Sequence, residues 1–227
     1  ARRSQPEQEA IYVKEYDLEP TGDVWIMLDM QRTVHAGEGA VSTEEYAVTL
    51  AASLANQLLR ENLAVGLVTY TTGPVVVAPR KGQQHLWELL TALSPLHATS
   101  EQPLADLLAL FEPAITRNMS IALVTPSCDA TWIERLGLLL RHGVHVTTLL
   151  LDAPSFGGVG NVTGVVGALA ELDVTTHVID KAVQFQSLFQ KRQQQPEYKV
   201  LGTGRVVVAK EGEAAEWVPV NMTGGMS

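Results

Sequence analysis

The composition of this 227-residue chain is that of a folded globular protein, with 46% hydrophobic and 18% charged residues. Its formal net charge of −9 argues against nucleic acid as the main partner. The single cysteine, Cys128, excludes an internal disulfide and suits a reducing compartment. No apolar stretch approaches the roughly 20 residues of a membrane span, so we expect no membrane contact from this part of the chain.

The first strong pattern is the run 24–29, VWIMLD, which predicts a strand that is buried on both faces and ends in a carboxylate, Asp29. A polar loop follows, and Ser42 and Glu45 then have the spacing of a capping box at a helix start. Large apolar residues recur every four positions after them and predict one apolar helix face: Tyr46, Leu50, Leu54 and Leu58. Strand, loop and helix form the first half of a βαβ unit, and ligands bind in the crevice beyond such strand ends.

The rest of the chain alternates apolar runs of strand length with helical patterns. Residues 63–78 predict a β-hairpin, because residues 71–74 form a turn between two apolar runs. The other predicted elements are helices 82–93 and 104–115, strand 119–125, helix 131–141, strand 144–151, helix 162–171, strand 175–179 and helix 182–193. This order predicts an α/β fold with a doubly wound, mostly parallel sheet and one antiparallel edge strand.

The two ends of the chain do not follow this alternation. We place the α/β domain at 20–195, with terminal segments 1–19 and 196–227. Apolar runs at 11–16, 199–209 and 216–220 indicate further strands, for which a small satellite β-sheet is one arrangement.

The order of the elements resembles the von Willebrand factor type A fold. Several phrases are also similar to the bacterial family called domain of unknown function 58: VKEYDLEPTGDVWIMLDMQ, STEEYAVTLAASLA, VGLVTY with the following VVVAPRKGQQHLWELLTAL, and LLLDAPSFGG. This resemblance covers residues 1–160. It implies a non-enzymatic interaction or assembly domain that works in the cytoplasm with a MoxR-type AAA+ ATPase, in a parent chain that is often membrane-anchored.

The resemblance also raises the question of a metal. A type A domain that binds Mg²⁺ uses Asp-x-Ser-x-Ser after its first strand, because this hard cation prefers oxygen ligands. Here Asp29 and Thr33 match the first and last positions, but Gln31 replaces the middle serine and Arg32 adds a positive charge. The first loop therefore has only part of the ligand set.

The two later ligand positions are also altered. Gln102 stands where the family has threonine, and Pro126 stands where it has aspartate, with Asp129 three residues later. We therefore expect no cofactor. A metal-dependent adhesion site at Asp29, with Thr33 and Asp129 as further ligands, remains an alternative; in the favoured interpretation Asp29 bonds loop amides at the sheet edge.

A second alternative is an enzyme. His35 and His97 fall in loops at the predicted end of the sheet that carries Asp29 and Asp129, and a histidine beside a carboxylate can act as a general acid or base. This alternative requires one of these histidines to lie within hydrogen-bonding reach of one of these carboxylates. Neither a nucleophile-elbow serine nor a base partner for Cys128 supports it.

The favoured function is a protein-binding surface built from three loops. Its candidate residues are Asp29, Gln31, Arg32, Thr33, His35, His97, Gln102, Asp129 and Trp132. Trp132 has two interpretations that the sequence does not separate, an aromatic that faces the partner or a side chain buried beneath the loop.

Overall fold

The structure is a computed structural model that describes residues 22–116 and 119–182 and the backbone of three later strands. The strands are β1 (Val24–Leu28), β2 (Gly37–Glu38), β3 (Val41–Ser42), β4 (Val65–Tyr70), β5 (Pro74–Arg80), β6 (Ser120–Thr125), β7 (His145–Leu151), β8 (Thr175–Ile179), β9 (Tyr198–Val200), β10 (Val206–Lys210) and β11 (Glu216–Pro219). The helices are α1 (Thr43–Arg60), α2 (Gln83–Leu93), α3 (Leu104–Phe111), α4 (Ala130–Leu140) and α5 (Val162–Glu171).

Six of the strands form one sheet in the order β5-β4-β1-β6-β7-β8. Neighbouring strands run parallel, except that β4 and β5 form an antiparallel hairpin at one edge. The predicted fold class, a mostly parallel sheet with one antiparallel edge strand, is therefore confirmed. All five residues of β1 are buried, because β1 lies inside the sheet and both of its faces are covered.

Helices cover the sheet on both faces. On one face, apolar residues of α3, α4 and α5 pack with Trp25 and Met27, and the rings of Trp25 and Phe111 meet edge to face with centroids 4.9 Å apart. Alternate residues of a strand point to opposite faces, so Ile26 and Leu28 point to the other side, where α1 contacts β1, β4, β6 and β7. The predicted apolar stripe of α1 is buried there at Leu50, Leu54 and Leu58.

The start of α1 differs in one detail from the predicted capping box. Ser42 is the N-cap residue, and its hydroxyl oxygen accepts a hydrogen bond of 3.2 Å from the backbone N–H of Glu45. The side chain of Glu45 is exposed and does not return the bond. The prediction is therefore right for Ser42 and wrong for the reciprocal half.

Two further differences have local causes. The predicted helix 104–115 ends as an α-helix at Phe111 and continues as a 3-10 turn, Glu112–Ala114, because Pro113 has no backbone N–H and its ring disfavours a helix interior. The two-residue strands β2 and β3 form a small hairpin within the loop after β1, which the sequence pattern does not predict.

The chain divides into two compact units, Ala1–Val183 and Gln184–Ser227. In the second unit β9, β10 and β11 form an antiparallel sheet in the order β11-β10-β9, so the predicted strand 199–209 is in fact two strands. The predicted strand 11–16 and all but the first residue of the predicted helix 182–193 lie outside the described residues. Among the helices that are described, none is both long enough and apolar enough to cross a membrane.

Candidate functional site

Polar residues follow three neighbouring strands of the sheet where each strand ends. Asp29 follows β1, Ser127 comes two residues after the end of β6, and Asp152 follows β7. Since these strands are parallel, their carboxyl ends lie at the same edge, which is the usual ligand-binding edge of an open α/β sheet. We call this edge, with the loops 29–42, 94–103, 126–129 and 152–161, the top surface.

The carboxylate of Asp29 is buried and hydrogen-bonded at both oxygens. Its Oδ2 accepts a 2.6 Å hydrogen bond from the hydroxyl of Thr125, and its Oδ1 accepts a 3.0 Å bond from the backbone N–H of Gln31. The hydroxyl oxygen of Thr125 in turn accepts from the backbone N–H of Ser127 at 2.9 Å. Asp29 therefore ties the loop after β1 to the loop after β6.

Burial raises the pKa of the Asp29 carboxyl above its ordinary value, because an apolar surrounding disfavours the charged form. The hydrogen bonds from Thr125 and Gln31 and the nearby His35 act in the opposite direction without cancelling the effect of burial. The cost of burying this group is thus only partly offset by its donors.

His35 is also held from both sides. Its Nε2 lies 2.9 Å from the backbone carbonyl oxygen of Asp29, which requires Nε2–H to be the donor, and its Nδ1 lies 3.0 Å from Oγ1 of Thr43. The same hydroxyl oxygen of Thr43 accepts from the backbone N–H of Ala36 at 2.8 Å. The half-buried imidazole therefore joins the β1 loop to the first residue of α1.

The second loop of the top surface pairs directly with the first. The backbone N–H of Arg32 donates to the carbonyl of Ser100 at 2.9 Å, and the N–H of Ser100 donates to the carbonyl of Met30 at 3.1 Å. The guanidinium of Arg32 forms an exposed ion pair of 2.7 Å with Glu101. This pairing places Gln102 on the exposed side of the same loop.

A second contact fixes this loop to α1. Glu44 accepts hydrogen bonds from His97 Nδ1 at 2.9 Å and from the backbone N–H of Ala98 at 3.1 Å. Partial burial by itself raises the pKa of Glu44, but the hydrogen bonds from His97 and Ala98 and the charges of His97 and His35 outweigh it, so the pKa lies below its usual value.

The third loop positions Asp129 and Trp132 very differently. Asp129 is exposed and is the N-cap of α4, where its Oδ1 accepts from the backbone N–H of Thr131 at 3.0 Å. Trp132 is 1% exposed, and its indole N–H donates to the carbonyl of Ser127 at 3.3 Å. The interpretation of Trp132 as an aromatic that faces a partner is therefore wrong, and the interpretation as a side chain packed beneath the loop is right.

The residues of the top surface do not fit a Mg²⁺ site. Both oxygens of Asp29 are used internally, the side-chain amide of Gln31 donates to Thr33 at 2.9 Å, and Pro126 has no side-chain ligand atom. Asp129 is occupied as a helix cap. Among the residues that the structure describes, no group of three His, Cys, Asp or Glu side chains is arranged to hold a metal ion.

The arrangement expected of a hydrolase is not present at these histidines. His35 bonds the backbone carbonyl of Asp29, not its carboxylate, and His97 bonds Glu44. Neither imidazole hydrogen-bonds to the carboxylate of Asp29 or Asp129 within the described residues.

A cleft of about 370 Å³ opens on the top surface beside this network. Its walls are residues 33–36, 126–129 and 158–159. The loops 34–41 and 157–160 meet closely there, since a Cβ on Gly158 would lie 2.6 Å from the Cβ of Ala36. Two apolar residues are prominent on these loops: Val41 is 55% exposed and Val159 is 93% exposed.

Asp152 is a top-surface residue that lies outside the ligand pattern of metal-binding type A domains. It is half-buried, and within the described part of the chain its carboxylate forms neither a hydrogen bond nor an ion pair. Asp152 is adjacent to the cleft, because the carbonyl oxygen of the next residue, Ala153, accepts a 2.9 Å hydrogen bond from the N–H of Gly158 on the cleft wall. Burial and the negative charge of Asp152 raise the pKa of the Cys128 thiol. The sequence signal for Asp152 is the same as for Asp29: an acidic residue directly after a predicted strand.

Comparisons with known proteins agree with this architecture. Among solved structures, the conserved hypothetical protein BatB from Bacteroides thetaiotaomicron is similar over 76% of this chain and 96% of its own, with a TM-score of 0.55 and 16% identity. At that identity the likeness supports the fold alone.

Two further structures match with lower scores. They are a von Willebrand factor type A protein from Catenulispora acidiphila (TM-score 0.49, 15% identity, covering 82% of this chain and 45% of that one) and a manganese-loaded TRAP protein from Plasmodium vivax (TM-score 0.49, 10% identity, covering 87% and 91%). No curated protein matches the chain.

The family described as "protein of unknown function DUF58" matches residues 1–149, which is more than half of the chain. This match decides the family. The chain belongs to the family of proteins of unknown function DUF58.

Proposed function

We propose that this domain is a non-enzymatic protein-binding module whose top surface docks a partner protein without a metal ion. The supporting observation is that the buried polar groups of this surface are bonded to one another: Asp29 to Thr125 and Gln31, and His35 to Thr43. These bonds make a firm frame, and a firm frame lowers the entropy lost when a partner binds.

The rim of this frame supplies the contacts. Arg32, Thr33, His97, Gln102 and Asp129 are exposed around it. Protein interfaces usually have a polar, solvent-accessible rim of this kind. The top-surface side chains form neither the ligand set of a metal-dependent adhesion site nor a bond between His35 or His97 and the carboxylate of Asp29 or Asp129, so the interaction role is the one they support best.

The partner that we propose is a MoxR-type AAA+ ATPase, following the family resemblance. Such a partner would place this domain in the cytoplasm, where ATP is available. The top surface would then bind the ATPase or the protein on which it acts.

Photo-cross-linking tests this proposal. Benzoylphenylalanine is placed at Thr33 or Gln102 on the top surface and, as matched controls, at Gln57 or Glu171, which are exposed near the opposite ends of α1 and α5. With a MoxR-type ATPase from the same organism, supplied with Mg²⁺ and ATP, we expect cross-links from the two top positions only. Equal cross-linking from Gln57 and Glu171 would contradict the proposal.

A further inference from the structure

The cleft on the top surface has a chemical character that selects among partners. Its walls combine apolar groups, Val34, Ala36, Pro126 and Val159, with one exposed carboxylate, that of Asp129. Its volume of about 370 Å³ is within the range of about 300–1,000 Å³ of ligand-binding pockets. It is large enough for one long side chain of a bound protein.

The charges that face this cleft are mostly negative. Asp129 lies on its wall, and Asp152 lies beside it, since the carbonyl of the adjacent Ala153 accepts a 2.9 Å hydrogen bond from the N–H of Gly158 on the cleft wall. The nearby basic side chains are engaged elsewhere: Arg32 is paired with Glu101, and both ring nitrogens of His35 bond inward to Asp29 and Thr43.

Among the residues that the structure describes, neither carboxylate has a cationic partner of its own. Lys181 is close in the backbone, where its N–H donates to the hydroxyl oxygen of Ser155 at 3.1 Å, but its ammonium group forms no ion pair with Asp152. Within the described residues, no lysine or arginine lines the cleft. A half-buried carboxylate without a partner gains most from a cation that arrives with its own apolar stem.

We propose that this cleft receives an arginine or lysine side chain of the partner protein, with its methylene stem against Val34, Ala36 and Val159 and its cation near Asp129 and Asp152. The inference rests on the proposed function, because the cation belongs to a protein partner. It gives the surface the opposite charge preference from a metal-dependent adhesion site, where a metal cation recruits a carboxylate of the partner.

Titration of the amide NMR spectrum with Nα-acetyl-arginine amide or Nα-acetyl-lysine amide tests the inference on the whole chain. We expect saturable shifts confined to residues 33–36, 127–129 and 158–159 with one or both probes. The citrulline analogue of the arginine probe, which keeps its size but lacks the charge, should bind at least about fivefold more weakly.

Two variants and a control locate the charges responsible. Asp152→Asn and Asp129→Asn should each weaken binding by about two- to fivefold. Asparagine is as good an N-cap as aspartate, so Asp129→Asn keeps α4 capped. Glu171→Gln removes the same charge at the far end of α5 and should leave binding unchanged.

Each other outcome contradicts the inference. Shifts spread over the acidic surface, or binding that Asp152→Asn and Asp129→Asn leave unchanged, would show unspecific attraction of cations. Preference for Nα-acetyl-glutamate amide, or binding of neither cationic probe, would exclude a cation subsite. If the ATPase cross-links from Thr33 persist while both cationic probes fail, this inference falls and the proposed function stands; if the probes bind but the cross-links are absent, the proposed function falls.

Discussion

The hydroxyl of Thr125 donates a 2.6 Å hydrogen bond to the carboxylate of Asp29, joining the ends of two adjacent parallel strands. The register of β1 and β6 pairs Leu28 with Val124, so the residues that follow them, Asp29 and Thr125, lie next to each other. In this position Asp29 organises the loops around it, where a metal-binding type A domain would use the aspartate as a ligand.

Replacing Thr125 by valine should lower the free energy of unfolding by about 1–3 kcal/mol, because it leaves Oδ2 of Asp29 and the N–H of Ser127 buried without partners. Urea denaturation at neutral pH measures the change. The matched control is Thr163→Val, since Thr163 is exposed on α5 and should change stability by less than about 0.5 kcal/mol. Equal effects of the two substitutions would show that the Asp29–Thr125 bond is unimportant.

The pH dependence of stability should reveal the raised pKa of Asp29. A raised folded-state pKa means that the native protein holds this proton to a higher pH than the unfolded chain, where the value is about 3.9. The resulting stabilisation is complete below the unfolded pKa and is lost as the pH rises through the folded one.

Comparison with Asp29→Asn isolates this contribution. The wild-type protein should lose stability relative to the variant as the pH rises from about 3.9 through the folded pKa of Asp29. Chemical denaturation of both proteins across this range measures the difference. If the wild type instead gains stability relative to Asp29→Asn as the pH rises, the folded-state pKa of Asp29 is lowered and not raised.

Much of this region could be predicted from sequence. The continuous apolar run of β1 and the capping position of Ser42 are local patterns, and they define the strand, the helix start and the acidic strand end. The bonding partner of Asp29 is not local, because Thr125 is 96 residues away and becomes its neighbour only through the register of β1 and β6. Hence a structural role for Asp29 was foreseeable, but its partner was not.

The burial of Trp132 is a second feature that the sequence alone does not predict. A residue near the start of α4 can lie on the exposed or the buried side of the helix. Trp132 is buried because its ring packs in the core and its N–H bonds the Ser127 carbonyl. The Asp152 carboxylate is the reverse case. Its sequence position after β7 indicates the correct edge of the sheet, but only the folded structure shows that its carboxylate has no partner within residues 22–116 and 119–182.

The contact between Glu44 and loop 94–103, a local latch, should stabilise this loop without contributing much to global stability. In His97→Ala, stability should fall by no more than about 1 kcal/mol, because His97 is exposed to solvent. The Ala98 amide donates to Glu44, so its hydrogen exchange should accelerate in Glu44→Gln. Exchange near Thr125, at the other end of the surface, should accelerate much less.

The lowered pKa of Glu44 sets the pH at which this latch weakens. Its stabilisation is present above the unfolded value of about 4.3 and is lost as the pH falls through the lower folded value. The Ala98 amide should therefore become better protected from exchange in the wild type than in Glu44→Gln as the pH rises between these two values. A protection difference that instead appears only above pH 6 would contradict the assignment to Glu44.

The close approach of two top-surface loops predicts opposite effects for two glycine substitutions. Gly158→Ala should destabilise by about 1–3 kcal/mol, because the new Cβ would lie 2.6 Å from that of Ala36 and neither can move without its backbone. Gly167→Ala, in α5 with open space around it, should stabilise by up to about 1 kcal/mol.

Thermal unfolding of the three proteins measures these changes. Adding Ala36→Gly to Gly158→Ala removes the opposing methyl group and should recover part of the loss. Failure of Gly158→Ala to differ from Gly167→Ala would mean that the loops 34–41 and 157–160 do not pack as described.

The central claim is that the polar network around Asp29 is a structural frame of a docking surface that needs no metal ion. The most direct test is thermal unfolding in EDTA and then in excess Mg²⁺, Mn²⁺ or Ca²⁺. We predict the same midpoint in all four conditions. An ion bound at about a hundred times its dissociation constant would add roughly 2.7 kcal/mol to the native state, and a rise of that size that disappears in Asp29→Asn would contradict the claim.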